Sequence, residues 1–273
     1  MGKFDGVLMC TDLDGTLLCR DKTISRENRD AIGYFKAEGG LFTFVTGRMP
    51  FFVQDMYTAI EPNCPFGCIN GGGLYSHTAG KYVWTKELPA ESMELAAYAE
   101  REIPDLGVQV NLFDRIYFCR ENEATARFRA VTRVPDLRGR YEDIVEPIAK
   151  IVFCVQDESH MERLAALLAA HPLADKFSFI RSERTLYEIL PKDVSKGTVL
   201  AKLAELEEID LRRTVAVGDY NNDIAMIRTA GLGVAVANAR PEVKAVADFI
   251  TVDNEHHAIA AIIDGLDGGR LTL

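Results

Sequence analysis

The sequence predicts an α/β protein with a Rossmann-like, doubly wound parallel sheet as its core and an inserted α+β domain. Short apolar runs of strand length alternate with longer helical patterns near both ends of the chain, which is typical of parallel strands joined by crossover helices. Between these ends the apolar runs return as hairpins, which indicates mostly antiparallel sheet. Polar residues follow several predicted core strands, where open parallel sheets bind ligands.

The first part of the chain carries three predicted strands and two predicted helices. The first strand is Val7–Cys10, and a helix follows from Ser25, a hydroxyl residue suited to cap a helix N-terminus. Ile32 and Phe35 lie on one face of this helix, and Gly39-Gly40 ends it. The remaining elements are a strand, a helix and a strand at Leu41–Val45, Pro50–Ile60 and Phe66–Ile69.

From Leu74 onward the pattern is one of hairpins separated by helices. The predicted hairpins pair Leu74–Ser76 with Tyr82–Thr85, Val108–Leu112 with Ile116–Cys119, and Phe177–Ile180 with Leu186–Leu190. Between them we predict helices at Ala90–Glu102, Glu123–Thr132 and Ser159–Ala170, and a strand at Ile148–Val155.

After Pro191 the alternating pattern resumes, which predicts that one domain is inserted into another. The predicted elements are Ser195–Leu206, Thr214–Val217, Asp223–Thr229, Val234–Val236, Pro241–Ala247 and Phe249–Val252, alternately helix and strand. We therefore assign residues 1–82 and 191–273 to the Rossmann-like core and residues 83–190 to the inserted domain. The tail after Gly265 is rich in glycine, and we expect it to fray.

Composition and charge limit the classes of function. The chain has 273 residues, of which 48% are hydrophobic and 26% charged, as in ordinary globular proteins. The formal net charge is -10, and no block of Lys and Arg interrupts the acidic balance, so we expect no nucleic-acid partner. Any phosphate that the protein binds must therefore meet a local positive site.

Cysteine spacing and apolar runs indicate a cytoplasmic chain with reduced thiols. The six cysteines lack the paired spacing of a zinc site. We find no signal peptide and no apolar stretch near the ~20 residues that span a bilayer. We accordingly expect no membrane partner, and no obligate protein partner is evident.

Four segments carry polar residues at the ends of core elements. Gly15 and Gly47 supply turns in two of them, and each of the four contains at least one charged side chain. The segments are Asp12-Leu13-Asp14-Gly15-Thr16, Thr46-Gly47-Arg48, Ser195-Lys196-Gly197 and Gly218-Asp219-Tyr220-Asn221-Asn222-Asp223.

In this order, the four segments resemble the motifs of the haloacid dehalogenase superfamily across the whole chain. The place of the insertion and the order of its elements are similar to the large cap of the Cof-type phosphatases, and Ile69-Asn70-Gly71 matches a further turn of that group. The resemblance implies a phosphoric monoester hydrolase that uses Mg²⁺ and acts on small phosphorylated metabolites. Sugar phosphates, flavin mononucleotide and pyridoxal phosphate are substrates that it suggests.

The resemblance also implies a role for each motif residue. Asp12 would be the nucleophile that becomes phosphorylated, and Asp14 would protonate the leaving alcohol and then activate water. The implied metal ligands are Asp12, the carbonyl of Asp14 and Asp219, with Asp223 orienting a metal-bound water. The implied phosphate-binding residues are Leu13, Thr46, Gly47, Lys196 and Asn222.

Elementary electrostatics explains why such residues must meet. A carboxylate approaching a phosphate is repelled by about 4 kcal/mol per pair of unit charges at ~4 Å and an effective dielectric constant near 20. A divalent metal held by Asp12 and Asp219, together with Lys196, would offset this repulsion. Magnesium prefers oxygen ligands, which these carboxylates supply.

Two alternative functions remain open from the sequence, a phosphomutase and a non-catalytic sensor. Asp14 favours a phosphatase over a dehalogenase, because dehalogenases of this superfamily lack the second aspartate. A phosphomutase would use the same intermediate, and a non-catalytic sensor of phosphorylated metabolites would use the same pocket. Arg48 could reach the substrate or cover the surface, and Asp114, Arg115 and Arg181 are candidates for substrate selection on position alone.

Overall fold

The computed structural model describes residues 2–273, which form two compact units. The core unit contains the chain up to Thr85 together with Ser195–Leu273, and the inserted unit is Lys86–Val194. Within residues 2–273, no helix has both the length and the apolar character needed to cross a membrane.

The strands and helices are numbered in chain order. The strands are β1 Leu8–Thr11, β2 Leu41–Phe44, β3 Phe66–Cys68, β4 Gly73–Ser76, β5 Lys81–Thr85, β6 Gly107–Leu112, β7 Ile116–Arg120, β8 Leu137–Arg138, β9 Ile148–Cys154, β10 Phe177–Glu183, β11 Leu186–Pro191, β12 Thr214–Gly218, β13 Leu232–Ala235 and β14 Phe249–Ile250. The helices are α1 Arg26–Ala37, α2 Gln54–Ile60, α3 Ser92–Glu102, α4 Glu123–Thr132, α5 His160–Ala169, α6 Lys196–Leu206, α7 Ile224–Thr229, α8 Pro241–Lys244 and α9 Ala258–Asp267.

A parallel sheet of five strands forms the centre of the core unit, in the order β14-β13-β12-β1-β2. Strand β1 pairs with β2 and β12, so that Met9 lies between Phe42 and Val215. All residues of β1 and β12 are buried, as expected of parallel strands covered on both faces. The carboxyl ends of β1, β2 and β12 therefore meet along one edge, which positions the residues that follow them.

Local capping fixes where two helices of the core unit begin. The Ser25 hydroxyl accepts a hydrogen bond from the Asn28 amide at the start of α1. At the start of α6, the Ser195 hydroxyl accepts from the Thr198 amide, and the Thr198 hydroxyl accepts from the Ser195 amide. These reciprocal bonds satisfy two amides that the helix leaves unpaired. They make Lys196 the first residue of α6.

The inserted unit is built on a six-stranded sheet in the order β10-β11-β9-β6-β7-β8. Its pairs are antiparallel except for β7 with β8. Val110 and Ile151 are buried in one apolar cluster with Leu95 of α3 and Leu164 of α5. The predicted α/β class, with a parallel core sheet and an inserted unit of mostly antiparallel sheet, is confirmed.

Several predicted element boundaries differ from the structure. The predicted boundary between residues 82 and 83 falls inside β5, which pairs with β4 and keeps the chain up to Thr85 in the core unit. At the other junction the compact units divide after Val194 instead of after residue 190. The short strand β8 and the helix α9 were not predicted.

The expectation that the tail frays after Gly265 is wrong. Helix α9 continues to Asp267, and the amides of Arg270 and Leu271 both donate to the Gly265 carbonyl. Lys3 pairs with Asp267 at 2.7 Å. The tail is held because α9 buries an apolar face that includes Ile259, Ile262 and Ile263.

We expect alanine to have opposite effects on stability at two helical glycines, because Gly197 of α6 packs closely against α7 and Gly33 of α1 faces open space. A Cβ at Gly197 would lie 2.5 Å from the Ala225 carbonyl oxygen, whereas a Cβ at Gly33 in α1 meets nothing within 4 Å. We expect Gly197→Ala to lower the free energy of unfolding by about 1–3 kcal/mol through overpacking. Gly33→Ala should raise it by about 0.5–1 kcal/mol through helix propensity. Urea denaturation measures both, and equal shifts for the two variants would contradict the packing.

Candidate active site

The residues after β1 and β12 are tied together at the carboxyl edge of the parallel sheet. The Asp12 amide donates to the Val217 carbonyl at 2.9 Å, which extends the pairing of the two strands by one residue. The Thr16 hydroxyl donates to Asp219 Oδ1 at 2.7 Å. Gly15 adopts φ +82°, and a Cβ there would lie 2.7 Å from Asp219 Oδ2. A glycine is therefore required both by the turn and by the closeness of the second acidic segment.

A buried lysine connects three of the predicted segments. Lys196 is 0% exposed, and its Nζ lies 2.6 Å from Asp12 Oδ1 and 2.6 Å from Asp223 Oδ1. Burial lowers the pKa of Lys196, but Asp12 and Asp223 outweigh it, and the net pKa is raised. Lys196 is therefore a permanent positive charge at neutral pH.

Three carboxylates crowd around this charge. One oxygen from each of Asp12, Asp219 and Asp223 lies within 4.8 Å of the others. Burial, and then the neighbouring carboxylates, raises the pKa of Asp219 to about 7. Burial also raises the pKa of Asp12, although Lys196 opposes this shift. The cluster therefore holds more negative charge than one ammonium neutralises, and an added cation would relieve the excess.

Asp223 uses both of its oxygens within the protein. Oδ1 accepts from Lys196, and Oδ2 accepts from the amides of Asp219 and Tyr220 at 2.9 and 3.0 Å. A Cβ at Gly218 would lie 2.4 Å from the Asp223 Cβ, so the turn closes tightly over this side chain. Asp223 thus orients Lys196 and the backbone of Asp219. Its predicted role in orienting a metal-bound water stays a prediction.

The Thr46-Gly47 loop after β2 is fixed by its backbone. The Thr46 amide donates to the Gly67 carbonyl, and the Thr46 carbonyl accepts from the Asn70 amide, both at 3.0 Å. The Thr46 hydroxyl accepts from the Arg48 amide at 3.2 Å. A Cβ at Gly47 would lie 2.9 Å from Asn70 Oδ1. The loop can therefore approach Asn70 this closely only because residue 47 is glycine.

Asn70 is a site residue to which the sequence analysis gave no role. Asn70 is 0% exposed, and its backbone lies in the left-handed region, with φ 53° and ψ 30°. Asparagine tolerates this conformation better than most residues do. Asn70 Oδ1 accepts from Asn222 Nδ2 at 3.0 Å, which joins the turn after β3 to the segment after β12. The Ile69-Asn70-Gly71 motif was the signal that could have identified it.

Asn222 and its neighbour carry buried oxygens without hydrogen-bond partners. Among the described residues, Oδ1 of Asn221 and Oδ1 of Asn222 are buried and have no hydrogen-bond donor. Asn222 was predicted to bind phosphoryl oxygens, and its amide nitrogen instead donates to Asn70. Leu13 lies buried between the two aspartates, where its carbonyl accepts from Leu18 at 2.8 Å.

Asp14 is held by two cations at the more exposed part of the site. Arg48 donates from Nε to Oδ2 at 2.8 Å and from Nη2 to Oδ1 at 2.7 Å. Lys22 Nζ donates to Oδ1 at 2.7 Å. Burial raises the pKa of Asp14, but hydrogen bonds from Arg48 and then Lys22 outweigh it, and the net pKa is lowered. The sequence left open whether Arg48 reaches the site, and the structure shows that it contacts Asp14. No pattern in the sequence indicated that Lys22 would also contact Asp14.

Comparison with known proteins decides the family. The sequence matches the haloacid dehalogenase-like hydrolases over residues 9–263. The chain belongs to this family. The match confirms the family predicted from the four motifs, and the phosphatase names of its relatives confirm the predicted enzyme class, a phosphoric monoester hydrolase.

Several relatives of this haloacid dehalogenase-like hydrolase are similar over nearly the whole chain. YxeH of Bacillus subtilis, which is named as a phosphatase, is 31% identical to this chain over 270 residues. The match covers 95% of this chain and 97% of YxeH. The 5-amino-6-(5-phospho-D-ribitylamino)uracil phosphatase YwtE of Bacillus subtilis is 27% identical over 292 residues, with coverage of 95% and 97%. A haloacid dehalogenase-like hydrolase from Bacteroides thetaiotaomicron has a similar crystal structure, with 25% identity, a TM-score of 0.80 and coverage of 94% and 98%.

Asp114, Arg115 and Arg181 of the inserted unit were candidates for substrate selection on position alone. Each is paired with a neighbouring residue. Arg115 donates to the Asp114 carboxylate at 2.7 and 2.9 Å. Arg181 pairs with Glu158 and donates to the Arg184 carbonyl. These contacts neither support nor oppose a role in substrate selection, which stays a prediction.

The burial of Lys196 in this haloacid dehalogenase-like hydrolase lets us predict how its substitution changes stability. Without metal, Lys196→Met should lower the free energy of unfolding at pH 8 by about 3–5 kcal/mol, because it leaves buried carboxylates uncompensated. The loss should shrink at pH 5, because the raised pKa values of Asp12 and Asp219 let these groups take up protons. Chemical denaturation in EDTA at the two pH values measures it.

A matched control lies on the same helix. Lys202 pairs with Glu205 at the surface, where its side chain is 39% exposed. Lys202→Met should change the free energy of unfolding by less than about 0.5 kcal/mol at either pH. If Lys196→Met lost the same stability at pH 5 and pH 8, charge could not be the reason for the loss.

Proposed function

We propose that this haloacid dehalogenase-like hydrolase is a magnesium-dependent phosphatase of small phosphorylated metabolites that forms an aspartyl phosphate on Asp12. The observation that carries the proposal is the buried Lys196, which lies 2.6 Å from Asp12 beside Asp219 and Asp223. Burying three carboxylates around one ammonium costs stability. Such a cluster is best explained if a cation binds to the carboxylates and if the positive charges of this cation and of Lys196 then bind a negatively charged substrate.

The donor groups of the cluster fit magnesium. All are carboxylate oxygens, as hard divalent cations prefer, and the described cluster contains no His or Cys. The Oδ1 atoms of Asn221 and Asn222, the two residues before Asp223, are buried acceptors without a donor. We propose Asp12, Asp219 and the Asp14 carbonyl as ligands. When bound, Mg²⁺ would neutralise charge on the phosphoryl oxygens.

Two carboxylates divide the proposed chemistry. Asp12 attacks phosphorus, the bond from phosphorus to the leaving oxygen breaks, and a proton from Asp14 passes to that oxygen. In the second half of the reaction, Asp14 accepts a proton from the water that attacks the aspartyl phosphate. Asp12 is 6% exposed, and its Oδ1 is fixed by Lys196. Its oxygen is thereby held in one orientation before substrate binds.

The phosphoryl group needs donors as it gains charge in the transition state. We propose that the amides of Leu13 and Gly47, the Thr46 hydroxyl, the Asn222 side chain and Lys196 supply them. The hydrogen bonds that fix the Thr46-Gly47 loop and join Asn70 to Asn222 support this proposal, because they hold these donors rigid.

The substrate class and setting belong to the same proposal. YwtE is named for a phosphorylated ribitylaminouracil, which is a small phosphate monoester and supports small metabolites as the class for this chain. We propose that the inserted unit is the cap that selects among them. All six cysteines are free thiols, which fits the cytoplasmic location predicted from the sequence.

The nucleophile is tested by comparing the wild type with Asp12→Asn on a panel of phosphorylated metabolites in Mg²⁺. We expect wild type to release inorganic phosphate and to form an acid-stable, hydroxylamine-sensitive phosphoprotein. Asp12→Asn should lose activity by at least about 10³-fold, because an amide is a poor nucleophile. Isomerised product without phosphate release would indicate a mutase, and ligand binding without turnover would indicate a sensor. Equal phosphate release by the two proteins would exclude the proposed hydrolase.

Magnesium binding should strengthen as the pH rises. The pKa of Asp219 is raised from 3.8 to about 7, so this group destabilises the metal-free protein increasingly as the pH rises from about 4 to 7. A metal must displace its proton, so the apparent magnesium affinity should rise up to about tenfold per pH unit below pH 7 and then level off.

The measurement is the rise in unfolding temperature that Mg²⁺ produces in EDTA-treated protein at pH 6 and pH 8. We expect the larger rise at pH 8. Asp219→Asn is the control, and in this variant the effect of Mg²⁺ should be smaller and should depend less on pH, with the pH dependence that remains due to Asp12. A rise of equal size at both pH values in the wild type would argue against Asp219 as a ligand.

A further inference from the structure

Two asparagines hold the turn of residues 12–18, which follows β1 and is called the 12–18 turn below. Asn238 Nδ2 donates to the Gly15 carbonyl at 2.7 Å, and Asn254 Nδ2 donates to the Leu18 carbonyl at 2.8 Å. The two asparagines are also joined, because the Asn254 amide donates to Asn238 Oδ1 at 3.1 Å. Asn238 thus donates and accepts at once, which fixes the orientation of its side-chain amide.

Asn238 belongs to the segment after β13, and this segment lies against Asp219. The Val236 amide donates to the Gly218 carbonyl at 3.3 Å, and the Arg240 amide donates to the Asp219 carbonyl at 3.0 Å. The segment therefore contacts both acidic parts of the site. It reaches one through its backbone and the 12–18 turn through the Asn238 side chain.

The 12–18 turn needs anchors because a glycine lies near its centre. Gly15 has φ +82°, which glycine adopts without a steric penalty, but glycine also loses more conformational freedom on ordering than other residues do. The Asp14 carbonyl, a proposed magnesium ligand, directly precedes Gly15. On one side of it the Leu13 carbonyl accepts from the Leu18 amide at 2.8 Å, and on the other the Gly15 carbonyl accepts from Asn238. The proposed ligand is thus flanked by two carbonyls that are held.

The hydrogen bond to the Gly15 carbonyl also limits how Thr16 can move. The Gly15 carbonyl and the Thr16 amide belong to one planar peptide group, so fixing the first restrains the second. The Thr16 hydroxyl in turn donates to Asp219 Oδ1 at 2.7 Å. Asn238 therefore acts next to one proposed ligand, the Asp14 carbonyl, and through Thr16 on another, the Asp219 carboxylate.

We propose that Asn238 and Asn254 form an amide brace that holds the 12–18 turn in its metal-binding conformation. The inference rests on the proposed function, which supplies the metal and its ligands. The brace keeps the Asp14 carbonyl and the Asp219 carboxylate in place before Mg²⁺ binds, so the metal does not have to order them. Both asparagines act through other residues and are therefore positioning residues. Partners that orient metal ligands typically contribute about 10- to 100-fold to metal affinity.

A positioning role differs from two other roles in what is lost with the asparagines. If they only stabilise the fold, their removal lowers the unfolding temperature and leaves the dissociation constant for Mg²⁺ unchanged. If they contact the substrate, their removal lowers kcat/KM at saturating Mg²⁺ and again leaves that constant unchanged. If they position the ligands, Mg²⁺ binds more weakly to the folded protein without any substrate, and excess Mg²⁺ restores activity.

The experiment measures the dissociation constant for Mg²⁺ by titration calorimetry at pH 8, on full-length protein freed of metal with EDTA and then dialysed. The variants are Asn238→Ala and Asn254→Ala, and Asn63→Ala is the matched control. Asn63 is exposed, as Asn238 is. Its Oδ1 accepts from the Phe42 amide at 2.8 Å, and its Nδ2 donates to the Gly40 carbonyl at 3.0 Å. These bonds lie at the start of β2, at the opposite edge of the sheet from the site.

We expect the dissociation constant for Mg²⁺ to rise about tenfold in Asn238→Ala. The rise should be about threefold in Asn254→Ala, whose partner carbonyl is farther along the chain from Asp14. Asn63→Ala should keep the wild-type value, although it loses the same two kinds of hydrogen bond. At saturating Mg²⁺, Asn238→Ala should regain most of the wild-type rate of phosphate release.

Unchanged constants in Asn238→Ala and Asn254→Ala overturn the brace, and so does a rise of equal size in Asn63→Ala. If Asn238→Ala does not fold, as judged by its unfolding temperature, Asn254→Ala decides. Failure of the proposed function looks different, because the wild type itself would then bind no Mg²⁺ or release no phosphate. Wild-type binding and turnover with unchanged constants in the variants would reject the brace alone.

Discussion

The site depends on one buried ion pair network, in which Lys196 lies between Asp12 and Asp223. Both distances are 2.6 Å, and all three side chains are nearly or fully buried. A lysine without solvent cannot hold its charge unless carboxylates surround it, and the carboxylates cannot hold theirs without the lysine. Each member therefore requires the others. Because they come from the turn after β1, the start of α6 and the segment after β12, the network also joins the two separate parts of the core unit.

Glycines and caps are what let these distant segments approach so closely. Gly15 lies against the Asp219 carboxylate, Gly47 against the Asn70 side chain, and Gly197 against the backbone of Ala225. A side chain at any of the three would displace a neighbour. The capping hydrogen bonds between Ser195 and Thr198 then set the first turn of α6. Rigid backbone in this region means that the carboxylates are positioned by the fold and need no ligand to order them.

Sequence reasoning reached the parallel sheet and the inserted unit because periodicity and hairpins are local signals. It also placed Asp12, Asp219 and Lys196 at strand and helix ends, and the structure brings these three together. It missed Lys22, because a lone lysine in a polar turn has no distinguishing pattern. It missed the link between Asn70 and Asn222, because contacts between residues so far apart in sequence depend on packing. The fraying tail was a wrong inference from glycine content, since α9 is held by its buried apolar face.

The partition of charge in the site indicates the order in which ligands should bind. Asp12, Asp219 and Asp223 with Lys196 carry two net negative charges when all are ionised, so a phosphate dianion is repelled until a divalent cation is present. A monovalent cation would leave the inner group negative. Asp14 with Arg48 and Lys22 carries one net positive charge, and it does so at the more exposed part of the site. In the proposed function, that outer charge would attract the substrate but could not replace the metal, because it is already paired with a carboxylate. In the proposed function, metal first and substrate second is therefore the order that the electrostatics favours, and the proton that Asp219 would lose on binding the metal becomes a prerequisite for binding the phosphate.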